Sequence, residues 1–369
     1  MMRTLQIVMV VSLAAAAPAA AQSAPEIKFQ AAADVLTLPA FGEVAGIATN
    51  SRGHIFVYAR VGHPVATLGD ERTFYHGNAR LFEFDPAGKF VKEIGQGTYG
   101  FDFAQAVRID PQDNIWAVDA GSNVLTKFAP DGRLLMVIGR KPEAINVRQG
   151  PGVPARLIDD NSAAPAPAAG GGGGGEGGGA RPAAPGAGSK SESFSRPADV
   201  AFDRTGNVYI ADGMGTNNRI AVFNADGNWV RGWGQTGSGR GEFNKIRGIA
   251  VDAAGNVYVA DSGNNRIQVF DSQGTYKSEI TGIGSPQAIC ITSGSPQVIY
   301  SSNSNDPESM ENGEIYRIQP DGKVVGKFGK AGKVPGEFGM VNALDCRTEN
   351  ALWVAEVWNW RAQKVTLSR

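Results

Sequence analysis

Short apolar runs separated by polar turn residues follow one another along nearly the whole chain. In residues 248–280 the runs occupy 248–251, 257–260, 266–270 and 275–280, and Asp, Asn and Gly fill the gaps. Such clusters mark tight turns, and Gly and Asn interrupt every run before ten helical residues can accumulate. The pattern therefore predicts four short β-strands joined by turns.

The four-strand unit recurs. Residues 199–227 repeat 248–274 almost residue for residue, and looser copies begin near Val44, Ala104, Pro286 and Val341. The inner runs are unbroken apolar stretches, as expected for strands buried on both faces, whereas the outer runs alternate because one side meets solvent. Six such units predict an all-β ring, a six-bladed β-propeller with four-stranded blades.

The sixth unit is one strand short. It provides three runs before the last residue of the sequence, while the run at 34–38 precedes the first unit without a partner. A ring leaves no exposed sheet edge when its first and last strands pair. We therefore expect the N-terminal segment of a propeller domain over 26–369 to complete the last blade.

Two segments do not fit the repeat. Residues 1–21 combine Arg3, an apolar stretch over 5–17 and an Ala-rich end, the pattern of a cleaved signal peptide. Residues 141–195 are rich in Gly, Ala and Pro, which predicts a flexible insert between blades two and three. The expected localisation is therefore secreted or periplasmic.

Charge narrows the range of partners. The formal net charge is −1, which gives no electrostatic footprint for nucleic acid or an anionic membrane. Beyond the leader, no stretch is apolar for the roughly 20 residues that a bilayer span requires. We expect a monomer whose partner is a peptide, a glycan, a small molecule or an envelope protein.

The two cysteines, Cys290 and Cys346, fall in the innermost strands of blades five and six. Export would allow a disulfide. However, packed sheets lie about 10 Å apart, and a disulfide requires Cα atoms within about 7 Å. The sequence therefore favours two buried free thiols, with a disulfide as the alternative.

One face of the ring collects the long loops. Strands alternate in direction, so the start of each innermost strand, the turn after the second strand and the connection between blades share a side. The excursions at 60–78, 141–195 and 302–313 all fall there. Long loops on a rigid scaffold often carry binding or catalysis, which makes this the candidate functional face.

The repeat resembles the NHL repeat, because residues 248–267 contain Gly-Ile-Ala-Val-Asp, Gly-Asn-Val-Tyr-Val-Ala-Asp and Asn-Asn-Arg-Ile. The chain also resembles the lyase half of peptide-amidating enzymes, peptidyl-α-hydroxyglycine α-amidating lyase, at Val44-Ala-Gly-Ile-Ala, Arg60-Val-Gly-His and Ala106-Val-Arg-Ile-Asp. This resemblance implies a catalytic metal held by one histidine from each alternate blade.

The positions of those histidines correspond to Gln105, Arg247 and Asn342 in this chain. Neutral amides are weak ligands and arginine cannot coordinate a metal, so this set cannot form a three-histidine zinc site. The resemblance places a substrate-binding arginine at Arg60 and a tyrosine base at Met214, which cannot transfer a proton. We therefore expect that the lyase mechanism does not operate in this chain.

Residues that recur in every clear copy are expected to serve the blade rather than a ligand. These are the carboxylates that end the second strands and the arginines that begin the third, namely Asp119, Asp212, Asp261, Arg219 and Arg266. Asp residues cap turns through their own side chains. Repetition thus indicates a structural role for this set.

The favoured function is a secreted binding propeller that needs no cofactor and in which a structural calcium is possible. Its ligand-binding candidates on the loop face are Arg60, His63, Gln105, Met214, Arg247, Asn342 and Glu356. The alternative is a metal-dependent lyase or lactonase-type hydrolase, for which Glu356, Asp212, Asp199 and Asn342 offer oxygen ligands suited to calcium. A third interpretation is a structural module of the cell envelope.

Overall fold

A computed structural model of the protein describes residues 24–37, 41–61, 65–67, 73–75, 79–140, 193–303 and 313–368. Within these residues, six antiparallel sheets of four strands each form the blades of a β-propeller. The helix in this described part of the chain is a 3-10 turn at Ser262–Asn264. The predicted all-β, six-bladed fold is confirmed.

The strands are given from the axis outward. Blade one comprises Glu43–Thr49, Ile55–Arg60, Ala79–Phe84 and Phe90–Ile94, and blade two comprises Ala104–Ile109, Ile115–Asp119, Val124–Phe128 and Leu134–Gly139. Blade three comprises Pro197–Phe202, Val208–Asp212, Arg219–Phe223 and Trp229–Trp233, and blade four comprises Ile246–Val251, Val257–Asp261, Arg266–Phe270 and Tyr276–Ile280. Blade five comprises Pro286–Ile291, Ile299–Asn303, Ile315–Ile318 and Val324–Phe328, and blade six comprises Val341–Thr348, Ala351–Glu356, Arg361–Leu367 and Phe29–Ala32.

Two short strand pairs lie outside the blades. Val65–Thr67 pairs with Thr73–Tyr75 in antiparallel fashion, within the long excursion of blade one. Gln235–Thr236 pairs with Glu242–Phe243 in parallel, in the connection that leads into blade four. Both therefore sit in loops on the side where the innermost strands begin.

Burial explains the apolar pattern. The second strand of blade four, Val257–Asp261, is buried at every position, and so is the third, Arg266–Phe270. The outermost strand of blade two instead exposes Leu134, Leu135 and Val137 to solvent. The buried side chains form six apolar clusters, each between two neighbouring blades. Each blade is thus held by its two neighbours.

The N-terminal strand closes the ring, but it lies upstream of the run that the sequence suggested. The strand is Phe29–Ala32, which pairs antiparallel with the last strand, from Phe29 opposite Leu367 to Ala32 opposite Lys364. Val35 and Leu36, from the predicted strand at 34–38, pack instead against the apolar cluster of blades six and one. These apolar side chains belong to a buried connection rather than to a strand. The sequence pattern of apolar residues could not distinguish between the two.

The prediction of free thiols is wrong. Cys290 and Cys346 form a disulfide, with Cα atoms 6.0 Å apart. The blades radiate from the axis, so their innermost strands converge to less than the usual spacing of stacked sheets. The bond joins the innermost strands of blades five and six.

Several predicted segments fall outside the described residues. These are the signal peptide at 1–21, the insert over 141–192 and the part of the blade-five loop at 304–312. Phe194, at the end of the predicted insert, is buried in the cluster between blades two and three. In the described part of the chain, no helix has the length and apolar character needed to cross a bilayer.

Candidate functional site

At the end of the ring where the innermost strands begin, four blades have a carboxylate at the same position, and each carboxylate binds the loop that precedes the innermost strand. The second strand ends in an acid in four blades, at Asp119, Asp212, Asp261 and Glu356. Each acid accepts a hydrogen bond from the backbone N–H 17 residues earlier, at 2.8–3.0 Å. The donors are Asp102, Ser195, Asn244 and Gly339.

In three blades, an arginine at the start of the third strand forms an ion pair with this carboxylate. The Nε atoms of Arg219, Arg266 and Arg361 lie 2.8–2.9 Å from Asp212, Asp261 and Glu356. All three carboxylates are fully buried, so the pairs are shielded from solvent. The structural role predicted for the recurring Asp and Arg residues is confirmed, and Glu356 belongs to the same set.

Arg60 breaks this pattern. It ends the second strand of blade one and pairs opposite Glu43, as Asp261 pairs opposite Ile246 in blade four. The charge is therefore reversed: Arg60 stands where four other blades have an acid, and its Nη1 lies 2.8 Å from Glu43 Oε2, again 17 residues earlier. A residue that departs from the repeat is a better functional candidate than one that follows it.

The surroundings of Arg60 orient its guanidinium toward blade two. Its Nε donates to the carbonyl of Ala104 at 2.7 Å and its Nη2 to Gln105 Oε1 at 3.1 Å. Its guanidinium carbon lies 3.6 Å from the centre of the Phe103 ring. Burial lowers the pKa of Arg60, and the Glu43 carboxylate opposes that shift. Arg60 is therefore a rigid cation stacked on an aromatic ring.

A second repeated feature lies on the innermost strands. In every blade the pairing between the first and second strands slips near the start of the first strand, which leaves one residue unpaired in five blades and two, Gln287 and Ala288, in blade five. Bulges of this kind re-aim a side chain. We call these positions the bulge ring: Ala45, Gln105, Ala198, Arg247, Gln287 and Asn342. The adjacent end of the tunnel is the upper mouth.

Amide groups from blades two and six meet in the bulge ring. Asn342 Nδ2 donates to the carbonyls of Ala45 at 2.6 Å and Gln105 at 2.9 Å, and Gln105 Nε2 donates to Asn342 Oδ1 at 3.3 Å. Gln287 Oε1 is buried without a hydrogen-bond partner among the described residues. The structure thus brings together Arg60, Gln105 and Asn342 of the predicted site.

Arg247 is the blade-four member of the bulge ring. Burial lowers its pKa, and the charges of Arg196 and Arg60 lower it further. Arg247 is unpaired at the start of its strand, as are Gln105 and Asn342, whose side chains meet at this end of the tunnel. Within the described chain, the Arg247 side chain makes no hydrogen bond or ion pair, unlike Arg60 with Glu43. The upper mouth is therefore basic.

An ion pair spans the axis below the bulge ring. Arg108 of blade two forms two hydrogen bonds with Asp199 of blade three, at 2.8 and 2.7 Å. Its Nη1 also donates to the carbonyl of Leu344 in blade six at 2.9 Å, and Ile249 of blade four donates its N–H to Asp199 at 3.3 Å. This network divides the tunnel into two ends.

The lower end contains a cavity of about 320 Å³. Polar residues at its edge are Thr49, Asp110, Ser293, Asp345 and Arg347. Several already bond to one another: Asp345 Oδ1 accepts from Thr49 Oγ1 at 2.9 Å, and Arg347 Nε donates to the Thr49 carbonyl at 3.1 Å. Arg108 also lines the cavity, so the Arg108–Asp199 network forms part of its wall.

The remaining predicted residues are placed differently. Met214 is half-buried against the cluster between blades three and four, and its N–H donates to the carbonyl of Arg196. His63 lies outside the described residues. The oxygen ligands suggested for calcium are engaged separately, Asp199 by Arg108 and Asp212 by Arg219. No group of three metal-ligating side chains occurs among the residues described.

Sequence reasoning missed Phe103, Arg196 and Glu43. Phe103 stacks against Arg60, and its ring centre lies 5.9 Å from the Arg196 guanidinium carbon. The 17-residue spacing between Glu43 and Arg60 could have indicated their pairing, because the same spacing joins Asn244 to Asp261. Nothing in the repeat marks Arg196, which precedes the innermost strand of blade three.

Comparison with known proteins agrees with this architecture. Residues 190–331 match a family model described as a 6-bladed beta-propeller. A Caenorhabditis elegans protein named as a probable peptidyl-alpha-hydroxyglycine alpha-amidating lyase is 25% identical over 195 residues, 51% of this chain and 43% of that protein. Mouse NHL repeat-containing protein 3 is 42% identical over 93 residues, 24% of this chain and 26% of that protein. The chain thus spans less than half of these relatives.

Solved structures share the fold. A catalytically inactive virginiamycin B lyase from Staphylococcus aureus with quinupristin has a TM-score of 0.53 and 12% identity, covering 92% of this chain and all of that one (100%). A gluconolactonase from Xanthomonas campestris has a TM-score of 0.52 and 13% identity, and the match covers 95% of this chain and 99% of that chain. The class is therefore a six-bladed β-propeller. In sequence it is similar to a peptidyl-alpha-hydroxyglycine alpha-amidating lyase and to an NHL repeat-containing protein, each over part of its length.

Proposed function

We propose that the protein is an exported binding propeller that recognises a peptide, a glycan or a small molecule at its upper mouth. One observation carries this proposal: Arg60, which reverses the charge that four other blades carry at its position, meets the bulge-ring amides Gln105 and Asn342 at one end of the tunnel. The residues that follow the repeat are engaged within their own blades. Residues freed from the structural pattern at one place favour a binding site there.

Export is supported by two features. The N-terminal residues have the composition of a cleaved leader. The disulfide between Cys290 and Cys346 is of a kind that persists in oxidising compartments. Mass spectrometry of the mature N-terminus from a secreting host tests this part: a terminus near Gln22 supports export, and a retained Met1 contradicts it.

A thermal-shift screen with peptides, oligosaccharides and metabolites tests the binding role. A ligand at about 100 times its Kd stabilises the folded state by about 2.7 kcal/mol, which a melting curve detects. We expect Asn342→Ala, at the upper mouth, to abolish the shift. The matched control is Ser293→Ala, at the lower cavity. A shift lost in the control and kept in Asn342→Ala would place binding elsewhere.

The alternative is a metal-dependent lyase or lactonase-type hydrolase, favoured by the similarity to an amidating lyase. Gln105, Arg247 and Asn342 oppose it, because a guanidinium repels a divalent cation and cannot coordinate it. Metal analysis of the purified protein, together with an amidating-lyase assay, discriminates between the two functions. Stoichiometric metal with turnover would favour the enzyme.

A further inference from the structure

The upper mouth gathers more positive charge than the fold neutralises. Arg60 pairs with Glu43 at 2.8 Å. Arg196 and Arg247 are half-buried, and their side chains have no hydrogen-bond or ion-pair partner among the described residues. Arg196 Nε in particular is buried and unpaired. Buried donors without acceptors are rare in native proteins and call for an explanation.

This arrangement opposes folding. Burial lowers the pKa of Arg247, and the charges of Arg196 and Arg60 lower it further. Glu43 balances the charge of Arg60 in an ion pair, whereas Arg247 forms no ion pair with a described residue. Departures from favourable local chemistry concentrate at functional sites, where a ligand supplies what the protein lacks.

The position of Arg247 makes the site central. It occupies the bulge ring, where the strand irregularity directs a side chain to the axis. The Phe103 ring lies beside both Arg60 and Arg196, at 3.6 and 5.9 Å from their guanidinium carbons. An aromatic face against the cations excludes water from one side and strengthens their attraction for an anion.

We propose that Arg247 and Arg196 bind an oxyanion of the ligand, a carboxylate or a phosphate, at the centre of the upper mouth. A guanidinium presents two parallel N–H donors that match two oxygens of either group. A fixed organic cation thus takes the axial position where the family resemblance implied a metal-binding histidine. This inference rests on the function proposed for the same mouth and adds the class of ligand.

Isothermal titration of the full-length protein tests the proposal with two probes, inorganic phosphate and succinate. We expect the parent to bind at least one probe in the millimolar range or tighter. Arg247→Gln and Arg196→Gln should each raise the Kd about tenfold or more. Arg247→Lys keeps the charge and loses the paired donors, so its Kd should lie between those of the parent and Arg247→Gln. The better-bound probe decides between phosphate and carboxylate.

Two controls separate binding from folding. Arg204→Gln changes an exposed arginine in a turn of blade three and should leave both titrations unchanged. Without any anion, Arg247→Gln should melt at the parent temperature or higher, because it removes repulsion. Added salt should weaken binding by the parent, since it screens the attraction. A large loss of melting temperature in Arg247→Gln would instead indicate a structural ion pair and overturn the proposal.

Other outcomes distinguish this inference from the function on which it rests. If a neutral ligand binds in a manner that needs Asn342 and ignores Arg247→Gln, the oxyanion site is wrong and the binding propeller stands. If Arg247→Gln and Arg196→Gln titrate like the parent, the site is also wrong. If neither the probes nor any ligand of the screen binds the parent, both proposals fail.

Discussion

At the scale of single residues, repetition separates structure from function. Asp261 and Glu356 occupy the same position in their blades and make the same bond to a backbone N–H 17 residues earlier. Arg60 occupies that position in blade one with the opposite charge. A buried carboxylate that holds a loop tolerates little change, whereas a position freed from that duty can be used to bind a ligand. Departures from the repeat are therefore the candidates for the proposed site.

The bulge ring gives a constructive test at this scale. Gln105, Arg247 and Asn342 occupy it in alternate blades. Changing all three to His should create a three-imidazole zinc site with one open position. We expect the double variant that keeps Arg247 to bind zinc at least about tenfold more weakly, because the guanidinium repels the ion.

Equilibrium dialysis with zinc across the parent, the double variant and the triple variant measures this effect. The parent should bind no zinc at micromolar concentrations. Equal affinity in the double and triple variants would show that Arg247 does not face the ion. Micromolar binding by the parent would contradict both the correspondence of residues and the interpretation of the protein as a binding module.

At the scale of elements, the turns and the closing strand hold the blades together. In blade three, Asn224 Oδ1 accepts from the N–H of Asp226 at 3.1 Å and of Asn228 at 2.8 Å. Asp271 makes the same turn in blade four, accepting from Gln273 and Thr275 at 2.8 Å. An amide and a carboxylate thus accept the same pair of backbone hydrogen bonds, so the capping residue is neutral in one turn and charged in the other.

That difference predicts a pH effect for Asp271→Asn. The N–H of Thr275 lowers the pKa of Asp271 in the folded state. The carboxylate therefore contributes stability above its unfolded pKa of about 3.9, and this contribution is lost as the pH falls through the folded pKa. We expect the parent to be more stable than Asp271→Asn near neutral pH and equal to it in strong acid.

Melting curves over a pH series measure this. Asp226→Asn, an exposed acid in the corresponding turn of blade three, is the matched control and should show no such divergence. A stability difference between the parent and Asp271→Asn that stays constant from neutral pH into strong acid would contradict the proposed titration.

The closing strand gives a packing test. Phe29 lies with its ring centre 5.2 Å from that of Phe328 and 6.4 Å from that of Phe338, and so joins the closing strand to blades five and six. Phe29→Ala should cost about 2 kcal/mol of unfolding free energy, below the range for a fully buried ring because Phe29 is half-buried. Gln30→Ala, an exposed neighbour in the same strand, is the control.

Urea denaturation of both variants measures the difference in unfolding free energy.

Deletion of residues 26–38 should have a global effect, with loss of cooperative unfolding or aggregation, because it exposes the edge of blade six. A truncated protein that melts cooperatively at the parent temperature would show that the strand does not close the ring.

At the scale of the whole molecule, the ring is held by neighbour contacts, by the closing strand and by one disulfide. Six apolar clusters alternate with the six blades, so no single central core exists among the described residues. The Arg108–Asp199 pair adds contacts from five blades across the axis. We therefore expect closure to couple the blades into one cooperative unit.

The disulfide should contribute to this cooperativity. Cys290 and Cys346 are 56 residues apart in sequence, so the bond restricts a long loop of the unfolded chain. The double variant Cys290→Ser with Cys346→Ser should lose about 2–4 kcal/mol of unfolding free energy. Reduction of the parent should produce a similar loss, and reductant should not affect the double variant. A parent insensitive to reductant would contradict a contribution from the bond.

The sequence by itself determined the repeat, the blade count and the role of the recurring acids, because strand patterning and turn residues are local properties. It also indicated that Gln105, Arg247 and Asn342 are equivalent positions. Only the tertiary structure decided which short apolar run closes the ring, since Phe29–Ala32 and 34–38 differ in where they pack rather than in pattern. It also decided the disulfide and the partners of Arg60, because convergence toward an axis brings together residues that no local spacing relates.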